Sequence, residues 1–216
     1  METGMIYEVR RPKNVVPGKK YPALFVMHGI GSNEQDMFSL VKGLEDYLYI
    51  FGIRGHLTQG QGFAYFTIQG FGKPHREAFD EGINKLSSFI QYATDTYPLD
   101  SNQIYLLGFS QGAIVSMTLA VTLGNKVRGI VALSGYIPQF VKEEYTINVG
   151  NQLSVFISHG EFDPALPYEW GKENADYFSK LGVPITFKSY PEGHTVSEEN
   201  LRDFQSWILN QLQNNS

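Results

Sequence analysis

The sequence predicts an α/β fold in three layers: a doubly wound, mostly parallel sheet covered by helices, with no large lid domain. Three observations carry this. Short apolar runs alternate along the 216 residues with longer segments of helical period, the order that builds parallel βαβ units. Several residues able to do chemistry fall just past the C-terminal ends of those runs, the edge at which open α/β sheets form their crevice. No linker rich in Pro, Ser or charge divides the chain, so residues 1–216 are expected to form one domain with a well-buried core.

The elements follow in order. Residues 6–10 read as an edge strand, 21–27 as a core strand and 47–53 as another. Residues 77–97 are expected to be helical, because Phe79, Ile83, Leu86, Ile90 and Ala93 recur at helical spacing and Pro98 lies just past the end. Strands at 104–109, 130–133, 153–158 and 185–190 complete the sheet. Helices at 111–123, 168–181 and 197–212 cover it. Residues 52–72 hold six glycines interleaved with Phe63, Tyr65, Phe66 and Phe71. No amphipathic period fits that stretch, so it reads as a loop. Only residues 136–152 separate the strand ending near Ser134 from the next, too short a connection for a conventional lid.

Gly108-Phe109-Ser110-Gln111-Gly112 sits directly between the apolar run Ile104-Tyr105-Leu106-Leu107 and the apolar helix that begins at Gln111. Strand, pentapeptide, helix is the context of a nucleophile elbow. A serine at the tip of so sharp a turn takes a strained backbone conformation, and the residues two before and two after it have no room for a side chain. The helix start then aims free N–H groups and a positive dipole end at the reacting oxygen.

A serine needs a base and an acid, here in the order Ser, Asp/Glu, His. His159-Gly160-Glu161-Phe162-Asp163-Pro164 follows the strand at 153–158, and Pro191-Glu192-Gly193-His194 follows the strand at 185–190. The expected triad is Ser110, Asp163 and His194: His194 takes the serine proton, and Asp163 fixes the imidazole tautomer. Glu161 and Glu192 are the rival acids. Asp163 is preferred because Pro164 fixes the turn just after it, whereas Glu192 is too close in sequence to reach His194 from behind. His28 and His159 read as turn residues bonded to nearby backbone, and nothing is assigned to His56 or His75. The oxyanion hole requires two amides. Gln111 supplies one, and Ile30, in the strand-end sequence His28-Gly29-Ile30-Gly31, supplies the other.

Taken together, His28-Gly29-Ile30-Gly31, Gly108-Phe109-Ser110-Gln111-Gly112, His159-Gly160-Glu161-Phe162-Asp163-Pro164 and Gly193-His194 resemble the phospholipase/carboxylesterase family of small α/β-hydrolases, which includes bacterial carboxylesterases and acyl-protein thioesterases. The resemblance spans the chain from about Tyr21 to the last helix. It implies an α/β-hydrolase fold and a serine hydrolase of carboxylic or thio-esters that needs no cofactor, with the same triad and oxyanion donors. The family's thioesterases usually carry Leu-Gly-Asp after His-Gly, where this chain has Ile30-Gly31-Ser32-Asn33-Glu34. The stretch from Arg11 to Pro22 is also similar to dienelactone-hydrolase-like and peptidase-like relatives. In the family an aromatic pair stands beside the nucleophile, and Tyr65-Phe66 falls there. Tyr136, Ile137 and Phe140 would form the opposite wall of an acyl site, the alternative for all five being ordinary core.

The remaining expectations come from composition. Net charge is −5, and Lys and Arg are scattered, which argues against nucleic acid as a partner. No run reaches membrane-spanning length and the N-terminal residues lack a signal-like apolar stretch, so a cytoplasmic protein is expected. The absence of cysteine removes disulfides and any thiol nucleophile, and no residues show metal-ligand spacing. The expected partner is a small-molecule ester, with a homodimer as an open alternative. Three function classes stand: a carboxylesterase cleaving small to medium acyl esters through an acyl-serine, a thioesterase or lysophospholipase-like enzyme with the same machinery, and a non-catalytic ligand-binding relative.

Overall fold

A computed structural model describes residues 4–214; the first three and last two residues of the expected domain lie outside it. The chain begins with β1 (Tyr7–Arg10), β2 (Tyr21–Met27) and β3 (Tyr49–Ile53), then forms two small hairpins from β4 (Leu57–Gln59) with β5 (Gly62–Ala64) and β6 (Ile68–Gly70) with β7 (Lys73–Pro74). Helix α1 (Arg76–Thr96), β8 (Leu99–Phe109), α2 (Gln111–Thr122), β9 (Gly129–Leu133), the short α3 (Gln139–Glu144), β10 (Ser154–Gly160), α4 (Tyr168–Lys180), β11 (Ile185–Tyr190) and α5 (Glu198–Gln213) follow. Seven strands form the central sheet in the order β1-β3-β2-β8-β9-β10-β11. Only β1 runs antiparallel to its neighbour.

Alternation along the strands divides the core, because successive side chains point to opposite faces. Ala23, Phe25, Ile104, Leu106, Ile130, Ala132, Val155 and Ile157 pack with α1, α2 and α4 on one face. Leu24, Val26, Tyr105, Leu107, Val131, Leu133 and Phe156 pack on the other, against α5 and a 3-10 segment at Asp36–Val41. Helix α2 is buried from Gln111 to Val121, which suits a helix that is apolar all round. Ser197 caps α5, its hydroxyl accepting from the Asn200 amide.

Three local departures from the sequence reading have physical causes. Strand β8 starts at Leu99 rather than 104: Leu99 pairs with Tyr21, and the register then shifts past the polar residues 100–103 before Ile104 pairs with Ala23. The connection between β2 and β3 uses 3-10 turns at Asp36–Val41 and Leu44–Asp46, too short to give a helical period. Residues 52–72 are not a free loop. They contain the end of β3 and most of two hairpins, whose alternation is hidden by glycines and by strands of three residues or fewer.

Candidate active site

Ser110 occupies the turn between β8 and α2 with φ 53° and ψ −116°, a region a residue with a side chain enters only under constraint. The neighbouring glycines explain how the turn closes. A Cβ on Gly108 would lie 2.1 Å from Gly112 backbone, and one on Gly112 would lie 2.0 Å from the Met27 carbonyl oxygen. The elbow is thereby pressed against both its own helix and the end of β2. The Ser110 amide donates to Leu133 O (2.9 Å), tying the turn to β9. Ser134, at the end of β9, is the other non-glycine residue with positive φ among those described.

Asp163 lies in the loop after β10 with its side chain fully buried. Its Oδ1 accepts the amides of Ala165 (2.8 Å) and Leu166 (2.9 Å), and its Oδ2 accepts His194 Nδ1–H at 2.7 Å. Burial disfavours the charge, but the His194 hydrogen bond and the two amides outweigh it and hold the carboxyl below its ordinary value. With Nδ1 held by Asp163, His194 turns its Nε2 away from the acid. Its ring packs on Phe109, centroids 4.8 Å apart, one residue from Ser110. The Ser110 hydroxyl makes no hydrogen bond among the described residues. Neither rival carboxylate is bonded to the imidazole: Glu161 accepts from Ser189 Oγ at 2.9 Å, and Glu192 is engaged through its backbone oxygen, which accepts the Phe162 amide.

The loop after β2 runs past the nucleophile, with the Gly29 pro-Cβ position 3.6 Å from Ser110 Cβ. Gly31 N–H is used by Phe63 O and Ser32 N–H by Gly29 O. The Ile30 amide just before them has no partner among the described residues. Gln111, as the first residue of α2, has an amide with no intrahelical acceptor. The two amides expected to hold an oxyanion are therefore unspent.

His28 and His159 are buried and neutral. Gly55 N–H donates to His28 Nε2 (2.9 Å), which leaves Nδ1–H to donate to Gly29 O (2.7 Å). His159 Nε2–H donates to Leu166 O (3.0 Å) and stands 3.5 Å from Asp163 Oδ2. Burial lowers both imidazoles from their ordinary value. His159 thus braces the acid loop from β10, a role its position before Gly160 at a strand end only partly signals.

The expected acyl wall is placed differently. Tyr65 and Phe66 are 0% and 1% exposed and offer no surface to a substrate. The Tyr65 hydroxyl instead accepts His28 N–H (3.1 Å) and donates to Ile53 O (2.6 Å). The Gln111 side chain clasps the same segment, Oε1 accepting Tyr65 N–H (2.6 Å) and Nε2 donating to Phe66 O (2.9 Å). A buried phenol must satisfy its hydroxyl, so Tyr65 is consumed as a brace. Phe140 packs edge-on to Phe79 and under the Arg76 guanidinium. Ile137 is buried, its amide held by Asn174 Oδ1 (3.0 Å). Tyr136 does approach the edge, T-shaped on Trp170 at 4.8 Å, and Trp170 meets Phe71 at 5.0 Å. Phe71 belongs to the glycine-rich stretch expected to shape the acyl site, whereas nothing in the sequence singles out Trp170 as its partner. They come from segments separated by about a hundred residues, with only their aromatic character as a signal of the pairing. Ile30 (42% exposed) and Phe162 (71% exposed) add apolar surface beside Ser110 and Asp163.

The profile of the Phospholipase/Carboxylesterase family matches residues 13–212. The chain is 29% identical to acyl-protein thioesterase 1 of Debaryomyces hansenii, with 94% of this chain and 96% of that protein covered. It is 30% identical to acyl-protein thioesterase 1 of Candida albicans with the same coverage. Among solved structures it is similar to the Bacillus cereus carboxylesterase, with TM-score 0.84 and 22% identity over 96% of this chain and 94% of that one. It is also similar to esterase PE8, with TM-score 0.83 and 19% identity over 95% and 98%. The chain therefore belongs to the phospholipase/carboxylesterase family of carboxylic ester hydrolases, and its architecture is the α/β-hydrolase fold. No helix among the described residues is long and apolar enough to cross a membrane.

Proposed function

We propose that this protein is a cytoplasmic, single-domain carboxylesterase that cleaves small to medium acyl esters through an acyl-serine intermediate. The observation that carries the reading is the strained Ser110 at the start of α2, next to Phe109, whose ring packs on the His194 that is bonded to the buried Asp163 carboxylate. His194 Nε2 takes the Ser110 proton as Oγ attacks the acyl carbon; Asp163 keeps the imidazole in the required tautomer and stabilises the imidazolium. The amides of Ile30 and Gln111 receive the oxyanion. His194 returns the proton to the departing oxygen, and a water activated in the same way releases the acid. The Ser110–His194 contact closes with substrate bound, as catalytic hydrogen bonds commonly do. The acyl group lies toward Tyr136, Trp170 and Phe71, the aromatic surface at this edge of the sheet. No cofactor takes part in these steps.

A second reading changes only the leaving group. It is favoured by relatives named acyl-protein thioesterases at about 30% identity over nearly the whole chain. Turnover across an acyl-length series of matched oxyesters and thioesters tests both. Faster cleavage of short and medium oxyesters supports the first reading, and a preference for long-chain thioesters supports the second. Hydrolysis of neither contradicts the proposed function.

A further inference from the structure

The two sides of the histidine differ in chemistry. The Phe71–Trp170–Tyr136 stack adjoins the core on the α1, α2 and α4 face of the sheet. Toward the other face, a cavity of about 230 Å³ opens between the Asp36–Val41 segment and residues 194–196. Asp36, Ser39, Leu40, Phe109, His194 and Val196 contribute to its walls. Its one charged lining residue besides the catalytic histidine is Asp36, and neither Lys nor Arg lines it. Asp36 Oδ2 accepts the Ser32 hydroxyl at 2.8 Å, which holds the carboxylate at the rim.

In acyl transfer the base returns its proton to the leaving atom, so the alcohol or thiol departs against the histidine ring. A cavity walled by His194 and by Phe109, next to Ser110, is placed to take the rest of that group. We propose that this cavity is the leaving-group subsite, and that Asp36 makes it favour esters whose leaving group carries a cationic head over neutral isosteres and disfavour anionic ones. The inference rests on the hydrolase reading above and adds to it the charge class of the leaving group. The cavity is open to solvent, and the aromatic side is left for the acyl portion.

The magnitude follows from a unit charge a few ångströms from an exposed carboxylate. In a high-dielectric setting that is an effect of about three- to tenfold, and it is screened by salt. The test uses three butyryl esters that share an acyl group: butyrylcholine, its neutral isostere 3,3-dimethylbutyl butyrate, and the butyrate ester of 3-hydroxypropanesulfonate. kcat/KM is compared within each protein, so a change in overall activity cancels. The wild type is expected to prefer the cationic ester to the neutral one by about three- to tenfold at low ionic strength, with the anionic ester slowest. Asp36→Asn should bring the cationic-to-neutral ratio near one, Asp36→Lys should favour the anionic ester, and 0.5 M salt should compress the wild-type ratio. A ratio that is the same in wild type and both variants overturns the subsite while the hydrolase reading stands. A wild type that turns over none of the three esters and takes no fluorophosphonate label overturns that reading, and the subsite with it.

Discussion

At Asp163, burial and hydrogen bonding pull the carboxyl in opposite directions, and the hydrogen bonds win. The charge is held by two amides and the imidazole, so replacing Oδ2 with an amide nitrogen reverses one donor–acceptor relation while leaving the size unchanged. Asp163→Asn is expected to keep the fold and lower kcat by about 10⁴-fold through the wrong tautomer. Glu161→Gln and Glu192→Gln should each cost about tenfold or less, since neither side chain is bonded to His194. Steady-state kinetics with circular dichroism on the three variants decides the matter: a crippled Glu161→Gln beside an active Asp163→Asn would contradict the assignment. These positions were legible because each lies past a strand end and the chain order admits few combinations. Tyr65 and Phe66 were not legible in the same way. Whether an aromatic faces a pocket or a core depends on where its backbone is pinned, and that is set by Gln111, 45 or more residues away.

The segment from Gly55 through β7 acts as a bracket for the catalytic edge. It is bonded to His28 through Gly55 and Tyr65, to Gly31 and Ser32 through Phe63, and to Gln111 through the Tyr65 and Phe66 backbone. The Gln111 side chain and the loop that follows Ile30 are thus tied to the same segment. Glu34 and Arg54 add a bidentate pair at 2.5 and 2.6 Å, and Arg54 lies over the Phe63 ring. Gln111→Leu keeps the Gln111 amide but leaves Tyr65 N–H and Phe66 O buried without partners. The expected result is a loss of about 1–3 kcal/mol in urea denaturation and a fall in kcat of at least about tenfold with a smaller change in KM. Unchanged kcat in a destabilised protein would limit the clasp to a structural role. Glu34 responds to acid through the same pair. The Arg54 hydrogen bond lowers its carboxyl against the opposing effect of burial, so its stabilisation is present above the unfolded carboxylate value and is lost as pH falls through the folded one. Arg54→Met should flatten that part of the acid-stability profile, and a profile that keeps its wild-type slope would contradict it. The bracket was hidden in sequence because hairpins this short carry no readable period, and a pair 20 residues apart obeys no local spacing rule.

For the whole molecule, the division of strand residues between two cores was legible from alternation and from the order of β and α segments, which is why the sheet came out as expected. The helices that cover it are less evenly encoded: α1 shows its period openly, whereas α2 is apolar all round and α3 is only six residues long. A global consequence lies in the buried histidines. Burial lowers His28, His56 and His159 from their ordinary value, so below about pH 6.5 the unfolded chain binds protons that the folded chain does not. Stability is therefore expected to fall as pH drops through 6.5 and on toward the folded values, each histidine adding up to about 1.4 kcal/mol per pH unit. Denaturation midpoints between pH 5 and 8 check this, and a flat profile over that range would contradict the neutral assignment.

The central claim is that Ser110 carries the acyl group. Intact-mass measurement and peptide mapping after a fluorophosphonate, or after rapid quenching of an ester reaction, tests it most directly. One adduct per chain is expected, confined to the peptide holding Ser110, absent in Ser110→Ala and formed far more slowly in His194→Ala. Ser110→Ala should also lose about three to six orders of magnitude in turnover. An adduct elsewhere in the chain, or turnover persisting at more than a few per cent in Ser110→Ala, would contradict the account.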